Sequence, residues 1–498
     1  MKRDIMIARL REERTPWDVL VVGGGATGLG CAVDAASRGL RTALVERGDF
    51  AQGTSSRSTK LAHGGVRYLR AGQFALVAQS LRERERLGVN APELVRRVPF
   101  IVPAYRRHER AWYGAGLALY GVLAPSSGAT RILSRDDVIA RLPALRRRGL
   151  RGGVLYHDGQ FDDARLALAL ARTAASLGAA VANYVRVGGL LKTSSRVSGV
   201  AATDLETGDT MEIPARVVIN ATGTGVDAVR RLDEAGAATM VRASRGAHIV
   251  LDTRFSPGDS AAMIPRTDDG RVLFMIPWRG RLLVGTTDTA APDVTDDPAP
   301  TRDDVSFLIE HAARYLDTAP TVADIRSTFA GLRPLLAGSG RTSSLRRDHR
   351  VVVGRSGLVT IAGGKWTTFR LMAEHAVDHA CEVAAITAPP SRTARLSLEA
   401  TQYGGANDPV EAHALGRADG DEAIAAFTRD AARSGMARTV QDVLARRSRA
   451  LFLDARAARA LAPAVARILA DELGRDQDWA AAQTKEFVET GARYLPPA

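Results

Sequence analysis

The sequence predicts an α/β protein with three parts: a parallel βαβ unit, a mixed and largely antiparallel β-sheet interleaved with it, and a helical C-terminal domain. Three observations support this prediction. A strand–helix–strand alternation opens the chain, a hairpin-like pair of apolar runs lies in its middle, and the C-terminal segment is rich in Ala, Arg and Leu with almost no strand-like run. At 498 residues, the chain is also too long for a single hydrophobic core.

The opening unit consists of two short apolar strands and the helical segment between them. WDVLVV (17–22) and TALVE (42–46) have the length and composition of strands, and residues 26–38 have helical periodicity. Two strands joined through a helix are expected to be parallel, because a parallel connection needs such a crossover. This unit therefore predicts a Rossmann-like nucleotide-binding domain.

The later elements include a hairpin connection as well as further strands and helices. RVLFMIPW (271–278) and RLLVGTTD (281–288) are separated only by Arg279 and Gly280, which is typical of a β-hairpin. The other predicted elements are a helix over 162–178, a strand over 179–187, short strands over 351–354 and 357–364, and a helix over 365–384. APPSRTAR (388–395) is typical of a linker and precedes the C-terminal helices.

These patterns, together with the family resemblance described below, divide the chain into two interleaved domains over 15–390 and a helical domain over 396–498. The expected segments of the dinucleotide domain are about 15–90, 150–230 and 345–387, and those of the substrate domain are about 91–149 and 235–344.

Three glycines mark a dinucleotide site. Gly23, Gly25 and Gly28 form G-x-G-x-x-G between the first strand and its helix. They allow a tight turn, close approach of backbone to a pyrophosphate, and close packing of the helix on the strand. Glu46 ends the second strand, where a carboxylate accepts hydrogen bonds from a ribose and would repel a 2′-phosphate. The pattern predicts dinucleotide binding and disfavours NADP.

The loop after the second strand favours FAD over NAD. Residues 46–65 read ERGDFAQGTSSRSTKLAHGG, with many hydroxyls, a lysine, a histidine and two glycines but no apolar period. An NAD enzyme needs little at this point of the fold. A flavin enzyme must carry the chain past the pyrophosphate toward the ring system, with hydroxyls and backbone amides in reach.

Composition excludes several other classes. The formal net charge is +13, yet neither zinc-finger spacing nor an RNA-binding motif accompanies it, so we expect no nucleic-acid partner. Apolar runs fall short of the roughly 18–20 residues that span a bilayer, and the charged N-terminal residues do not resemble a secretory signal. Cys31 and Cys381 are far apart and lack metal-ligand spacing. We therefore expect a reduced, cytoplasmic protein with no metal site.

The stretch RGDFAQGTSSRSTKLAHGGVRYL (47–69) closely resembles the FAD-dependent glycerol-3-phosphate dehydrogenases, which belong to the superfamily of D-amino-acid oxidase. Further matching motifs follow in the family's order: DDARL (162–166), NATG (220–223), GAHIVL (246–251), IPW (276–278), GTTD (285–288), GLRPL (331–335), RRD (346–348) and GGKWTTFR (363–370). The C-terminal segment with DVLARRSRALFLDA (442–455) resembles the family's helical domain. The resemblance covers roughly residues 15 to 495.

The resemblance implies a set of FAD contacts. Glu46 would bind the ribose, and the serine-rich loop and the His-Gly-Gly run would lie along the flavin. The implied cofactor residues are Gly23, Gly25, Gly28, Glu46, Arg47, Thr54, Ser55, Ser56, Lys60, His63, Gly64, Gly65, Val185, Thr222, Gly223, Gly363 and Gly364. The helix that begins near Lys365 would direct its positive N-terminus at the flavin. For His63, a structural role in the turn is the alternative.

The resemblance also implies a substrate, sn-glycerol 3-phosphate, which would be oxidised to dihydroxyacetone phosphate by hydride transfer to flavin N5. A phosphate dianion favours arginines, whose planar forks bind its oxygens bidentately. The implied substrate-binding residues are Arg67, Tyr68, Arg333 and Arg347, and the implied catalytic residues are His248, Arg333, Lys365 and Thr368. For His248, a structural role in a strand is the alternative, and the group that takes the C2 hydroxyl proton stays open.

The electron acceptor and the partners are implied only in outline. Respiratory members of the family pass electrons to a membrane quinone, whereas others use oxygen. A quinone would require peripheral contact with the inner face of the cell membrane, for which the apolar run AWYGAGLALYGVLA (111–124) beside Arg106, Arg107 and Arg110 is a candidate. A buried core helix is the alternative for this run. The oligomeric state stays open, with a homodimer as one alternative.

Two rival functions remain. One is an oxidase of the same superfamily that acts on an amino acid or hydroxy acid, which would hold a carboxylate instead of a phosphate. The other is a basic flavoprotein that binds nucleic acid, which predicts salt-dependent affinity and no reaction with small alcohols.

Overall fold

The structure is a computed structural model that describes residues 1–13, 15–65, 72–123, 128–256, 258–338, 348–401, 403, 407–417 and 420–497. Its helices are α1 (Arg3–Glu12), α2 (Ala26–Ser37), α3 (Phe74–Asn90), α4 (Glu109–Val122), α5 (Arg135–Arg141), α6 (Asp163–Ser176), α7 (Val226–Asp233), α8 (Arg302–Tyr315), α9 (Phe369–Ala384), α10 (Pro409–Ala414), α11 (Asp421–Arg433), α12 (Ala450–Leu453), α13 (Ala455–Leu473) and α14 (Gln477–Ala492).

The strands are β1 (Trp17–Val22), β2 (Thr42–Val45), β3 (Leu61–Ala62), β4 (Val95–Ala104), β5 (Arg131–Leu133), β6 (Gly152–Phe161), β7 (Ala180–Ala182), β8 (Val185–Thr193), β9 (Arg196–Asp204), β10 (Thr210–Asn220), β11 (Val241–Asp252), β12 (Ala261–Ile264), β13 (Leu273–Trp278), β14 (Arg281–Gly285), β15 (Thr289–Ala290), β16 (Ile325–Leu336), β17 (His349–Val353) and β18 (Val359–Gly363).

The first sheet contains the parallel unit that the sequence predicts. Its strands lie in the order β17-β18-β10-β1-β2-β7, and β1 pairs in parallel with both β10 and β2. The antiparallel strands β8 and β9 extend the sheet from β10. Helices α6 and α9 pack against α2, which follows the glycine turn. The apolar runs of β1 and β2 are buried because helices or loops cover both faces of a parallel sheet.

The second sheet is mixed and mainly antiparallel, as predicted. Its strands lie in the order β15-β11-β14-β13-β12-β4-β6-β3, with β16 paired to β11 and β5 to β6. The predicted hairpin is β13–β14, and Arg279 and Gly280 turn it with φ values of +46° and +73°. Strands β3 and β6 lie in this sheet although the sequence pattern groups them with the dinucleotide segments. The domain boundaries themselves stay a prediction.

Two elements differ from their predicted bounds. The predicted strand over 179–187 is broken into β7 and β8, because Tyr184 adopts φ +56° and the Asn183 side chain donates to the Met436 carbonyl 2.9 Å away. The helix expected from Lys365 begins as an α-helix only at Phe369. A 3₁₀ turn over Trp366–Thr368 precedes it, closed by the Thr368 amide donating to the Lys365 carbonyl at 2.9 Å.

The C-terminal helices are joined to the first sheet by buried ion pairs. Asp49, at the start of the loop after β2, accepts from Arg446 and Arg447, with one Arg447 contact of 2.8 Å. All three side chains are almost fully excluded from solvent. Burial alone would raise the pKa of Asp49, but the Arg447 and Arg446 guanidiniums outweigh it and lower that pKa to about 2.

Helix α4 contains most of the apolar run 111–124, for which the sequence allowed either a membrane-contact surface or a buried core helix. Only Leu117 and Tyr120 of this helix are buried, whereas Trp112 and Val122 are 70% and 73% exposed. The alternative of a buried core helix is therefore wrong for this run. The part of the chain that the structure describes contains no helix long and apolar enough to cross a membrane.

Candidate active site

A cavity of about 580 Å³ lies between the two sheets. Its lining comes from the carboxyl ends of β1, β2, β10 and β18 on one side and from β11 and β16 on the other. Ligands of open α/β sheets bind at the carboxyl ends of the strands, so the fold alone predicts a site here. The volume is in the ordinary range for a cofactor or ligand cavity.

The glycine turn forms one end of this cavity. Gly23 has φ +114°, and a Cβ added to it would lie 2.7 Å from the Ala221 carbonyl oxygen. Gly23 and Gly25 line the cavity, whereas Gly28 lies behind the turn, where an added Cβ would be only 1.9 Å from the Gly23 carbonyl oxygen. The three glycines therefore do what the sequence pattern predicts: two expose backbone, and the third lets α2 approach β1.

Glu46 is fixed beside this turn. Its carboxylate accepts from the backbone amides of Gly24 at 2.6 Å and Gly48 at 2.9 Å. Burial raises the pKa of Glu46, and these two hydrogen bonds partly oppose the rise. Arg47 also lines the cavity and forms an exposed ion pair with Asp296, another lining residue.

The loop over 54–65 runs along the cavity. Its 3₁₀ turn, Thr54–Ser56, is held by the Thr54 hydroxyl, which donates to the Leu332 carbonyl, and by the Ser55 hydroxyl, which accepts from the Ala26 amide at 3.0 Å. The Trp366 indole donates to the Ser55 carbonyl at 3.0 Å. These bonds connect the loop to β16, to the start of α2 and to the 3₁₀ turn after β18.

Most of the predicted cofactor residues meet in this cavity. Those that line it are Gly23, Gly25, Glu46, Arg47, Thr54, Ser55, His63, Val185, Thr222, Gly223, Gly363 and Gly364. Those that do not line it are Gly28, Ser56, Lys60, Gly64 and Gly65. The buried Lys60 ammonium instead binds the Asp163 carboxylate at 2.7 Å and the Ser56 carbonyl at 2.7 Å. Its burial, opposed by Asp163, lowers its pKa to about 7.

Three of the four predicted catalytic residues line the same cavity: His248, Arg333 and Lys365. The Arg333 guanidinium lies against Gly246, where a Cβ would be 2.1 Å from its Nη2 atom, so only glycine leaves room for it. It donates to the Thr286 hydroxyl at 2.9 Å and to the Thr287 carbonyl at 3.1 Å. Thr368 is buried outside the lining, and its hydroxyl donates to the Lys365 carbonyl.

Three predicted substrate residues, Arg67, Tyr68 and Arg347, lie outside the described residues. Sequence reasoning also missed several residues of the lining. Thr59 and Trp366 lie within the SSRSTK and GGKWTTFR motifs, and the hydroxyl pattern of SSRSTK could have indicated Thr59. Thr295, Asp296 and Pro298 come from a segment with no motif, held in place where Asp297 binds Arg57.

His248 is held in a low-polarity position. It is 2% exposed, and its ring stacks on Phe329 with centroids 4.7 Å apart. Burial, followed by the Arg333 and Lys60 cations, lowers the pKa of His248 well below its ordinary value. The imidazole is therefore neutral at physiological pH, a state in which one nitrogen can accept a proton.

A glycine cradle beside an acid, opening onto a pocket with a neutral histidine and two cations, defines a dinucleotide-dependent oxidoreductase. Residues 18–378 match the family of FAD dependent oxidoreductases, and residues 361–480 match the C-terminal domain of alpha-glycerophosphate oxidase.

The proteins that this chain resembles identify the family within this class of oxidoreductases. A mitochondrial glycerol-3-phosphate dehydrogenase of Rattus norvegicus is 37% identical, over 97% of this chain and 74% of that protein. Glycerol-3-phosphate dehydrogenase 2 of Mycobacterium bovis is 44% identical, over 80% of this chain and 68% of that protein. The X-ray structure of the glycerol-3-phosphate dehydrogenase from Bacillus halodurans complexed with FAD matches with a TM-score of 0.80 at 28% identity, over 100% of this chain and 98% of that one. The chain belongs to the family of FAD-dependent glycerol-3-phosphate dehydrogenases.

The residues present fit FAD, the cofactor of this family. Gly23 and Gly25 leave a backbone cradle, since a Cβ on Gly25 would lie 3.1 Å from the Ser55 hydroxyl oxygen. Glu46 lies beside the cradle, where its carboxylate would hold a ribose, and hydroxyls of the 54–59 loop continue from it to the pocket of His248. The sequence-based prediction of the cofactor is confirmed.

Substitution of Gly28 tests the cradle. We expect Gly28→Ala to raise the Kd for FAD by about 5–150-fold, because overpacking at this contact costs about 1–3 kcal/mol and the turn must shift to relieve it. FAD content and affinity are measured by fluorescence titration of the apoprotein. Gly88→Ala in α3 is the matched control, because its Cβ would meet no atom within 4 Å. Equal FAD affinity in both variants would show that the turn tolerates a methyl group.

Proposed function

We propose that this protein oxidises sn-glycerol 3-phosphate to dihydroxyacetone phosphate and passes the electrons to a membrane quinone. One observation carries the proposal: Arg333 lies in the same cavity as His248 and Lys365, next to the dinucleotide cradle. A fork-shaped cation suits a phosphate, and a neutral imidazole beside an ammonium suits an alcohol that loses its proton.

The charges of the groups in the cavity indicate the role of each group in the reaction. FAD, when bound, supplies the hydride acceptor at its N5 atom. Arg333 binds the phosphate dianion and fixes the position of C2. The dianion offsets the Arg333 charge near His248, which makes the imidazole a better proton acceptor in the complex. Lys365 stabilises negative charge that develops on the C2 oxygen.

The proposed domain division fits this scheme. The segments about 15–90, 150–230 and 345–387 supply most of the FAD cradle, and the segment 235–344 supplies His248 and Arg333. The rival substrates, amino acids and hydroxy acids, carry a carboxylate at the position we assign to the phosphate.

Steady-state turnover with a panel of substrates tests this function. With a soluble quinone analogue as acceptor, we expect sn-glycerol 3-phosphate to yield dihydroxyacetone phosphate, and glycerol, glycine and lactate to yield no product. Comparison of oxygen with the quinone under the same conditions identifies the acceptor. Turnover of glycine or lactate in place of the phosphate ester would favour the rival oxidase and contradict the proposal.

We further propose that α4 is the membrane-docking surface through which a quinone is reached. Its exposed face carries Trp112, Leu119 and Val122, and Ile132 of β5 lies beside it. Arg106, Arg107 and Arg110 flank it. An apolar face bordered by arginines binds an anionic bilayer by burial of apolar area together with attraction to lipid headgroups.

Removing this apolar surface is expected to weaken binding to membranes. We predict that the Trp112→Ser/Val122→Ser variant partitions onto anionic phosphatidylglycerol vesicles at least about tenfold less than wild type, since each apolar side chain contributes about 1.5–3 kcal/mol when fully buried. Vesicle co-sedimentation measures the partition coefficient. Val322→Ser, which removes an exposed valine elsewhere, is the matched control. Unchanged partitioning of the double variant would exclude α4 as the docking surface.

A further inference from the structure

In the described part of the chain, the His248 ring makes one hydrogen bond, to a residue that also lines the cavity. Its Nε2 atom is 2.9 Å from the Thr59 hydroxyl, and its face is covered by Phe329. Its Cδ2 edge lies against Gly285, where an added Cβ would be 2.1 Å away. Its Nδ1 atom is buried and has no hydrogen-bond partner among the described residues.

Thr59 lies beside this ring in the wall of the cavity. Both residues line the cavity, Thr59 half-buried and His248 buried. In the described part of the chain, the Thr59 hydroxyl makes no hydrogen bond other than the one to Nε2. A hydroxyl can donate one hydrogen bond and accept another at the same time, so its oxygen can accept from a ligand while it donates to the imidazole.

We propose that Thr59 is a catalytic residue that relays the proton of the substrate's C2 hydroxyl to Nε2 of His248. The inference deepens the proposed function and rests on it. The substrate O–H bond breaks as a new O–H bond forms at Thr59, and the original Thr59 O–H bond breaks as an N–H bond forms at Nε2. Thr59 thus begins and ends with one hydrogen, His248 gains the proton, and the hydride is the one already assigned to FAD.

The relay makes three demands on the protein. The hydroxyl must donate to Nε2, so neutral His248 must carry its hydrogen on Nδ1 before substrate binds. Serine at position 59 must support the relay as threonine does, because it keeps the hydroxyl. Thr59 and His248 must also act as a unit, so that removing the second adds little once the first is gone.

Kinetics of the anaerobic reduction of the flavin test the second and third demands. We expect Thr59→Val to slow reduction by sn-glycerol 3-phosphate about 100-fold or more with little change in the substrate concentration at half-saturation, in the range of general acid–base contributions. Thr59→Ser is expected to stay within about fivefold of wild type, and Thr59→Val/His248→Gln to be no more than about threefold slower than the slower single variant. Thr328→Val, next to Phe329 and outside the cavity lining, is the matched control.

Tautomer measurement tests the first demand without turnover. Nitrogen NMR of histidine-labelled holoenzyme, assigned with His248→Gln, is expected to show the hydrogen on Nδ1 in wild type and Thr59→Ser. Hydrogen on Nε2 in wild type would overturn the relay, even if Thr59→Val fails to fold. Rate losses that multiply in the double variant would also overturn it. Failure of sn-glycerol 3-phosphate to reduce wild-type flavin would instead contradict the proposed function. The two failures are distinguishable because the tautomer is measured in the absence of substrate.

Discussion

Replacing Arg333 by methionine is expected to lower kcat/KM for sn-glycerol 3-phosphate by roughly 30-fold to several thousand-fold. The reason is the largely buried position of this guanidinium, which lies over Gly246 and is oriented by the Thr286 hydroxyl and the Thr287 carbonyl. Loss of a charged hydrogen-bonding partner at such a site costs about 2–5 kcal/mol. Steady-state kinetics with a dye acceptor measure the effect.

Two further variants make the Arg333 test specific. Arg333→Lys keeps the charge but not the planar fork, so we expect an intermediate loss. Arg326→Met removes an arginine from the same strand, β16, whose side chain is 44% exposed and directed to Asp252, and should leave kcat/KM within about twofold. If Arg333→Met retained the kinetics of Arg326→Met, another group would bind the phosphate.

Replacing Asp49 by asparagine is expected to reduce the free energy of unfolding by about 3–5 kcal/mol. Asp49 is the common partner of Arg446 and Arg447, and all three side chains are buried. Arg446 keeps its ion pair with Asp442, but Arg447 loses the carboxylate that binds it, in a region excluded from solvent. Removing one partner of a buried ion pair is costly in this way. Chemical denaturation, followed by circular dichroism and flavin fluorescence, measures the change.

The pKa of Asp49 predicts how this contribution depends on pH. Because the pKa is lowered from 3.8 to about 2 in the folded protein, the carboxylate stabilises the fold fully above pH 4, and its contribution is lost as the pH falls through 2. Asp49→Asn should therefore flatten the acid limb of the stability curve in this range. Asp209→Asn, at an exposed ion pair, is the control. A change of less than 1 kcal/mol in Asp49→Asn would show that the C-terminal helices are held by other contacts.

The sequence predicted the dinucleotide end of the site well because its signals are local. Strand β1, the glycine turn and helix α2 are contiguous, and Glu46 follows the very next strand. Periodicity also placed the β13–β14 hairpin, whose two-residue turn leaves little freedom of register. The break between β7 and β8 could not be predicted, because it depends on a contact from Asn183 to Met436, far along the chain.

The rest of the site depends on contacts that no local pattern records. The Asp49 carboxylate meets arginines almost four hundred positions later, and the sequence offers many other arginines as partners. Lys60 lies in a motif rich in cofactor residues, yet the buried Asp163 carboxylate holds its ammonium away from the cavity. Helix α4 has the composition of a buried helix, and its exposure is visible only once the rest of the chain is packed.

The visible absorption spectrum of the purified protein, recorded without oxygen before and after addition of sn-glycerol 3-phosphate, tests the proposed reaction most directly. We predict a flavin band that bleaches with this substrate and is unchanged by glycerol or by an amino acid. A flavin band that stays oxidised in the presence of sn-glycerol 3-phosphate would contradict the proposed function.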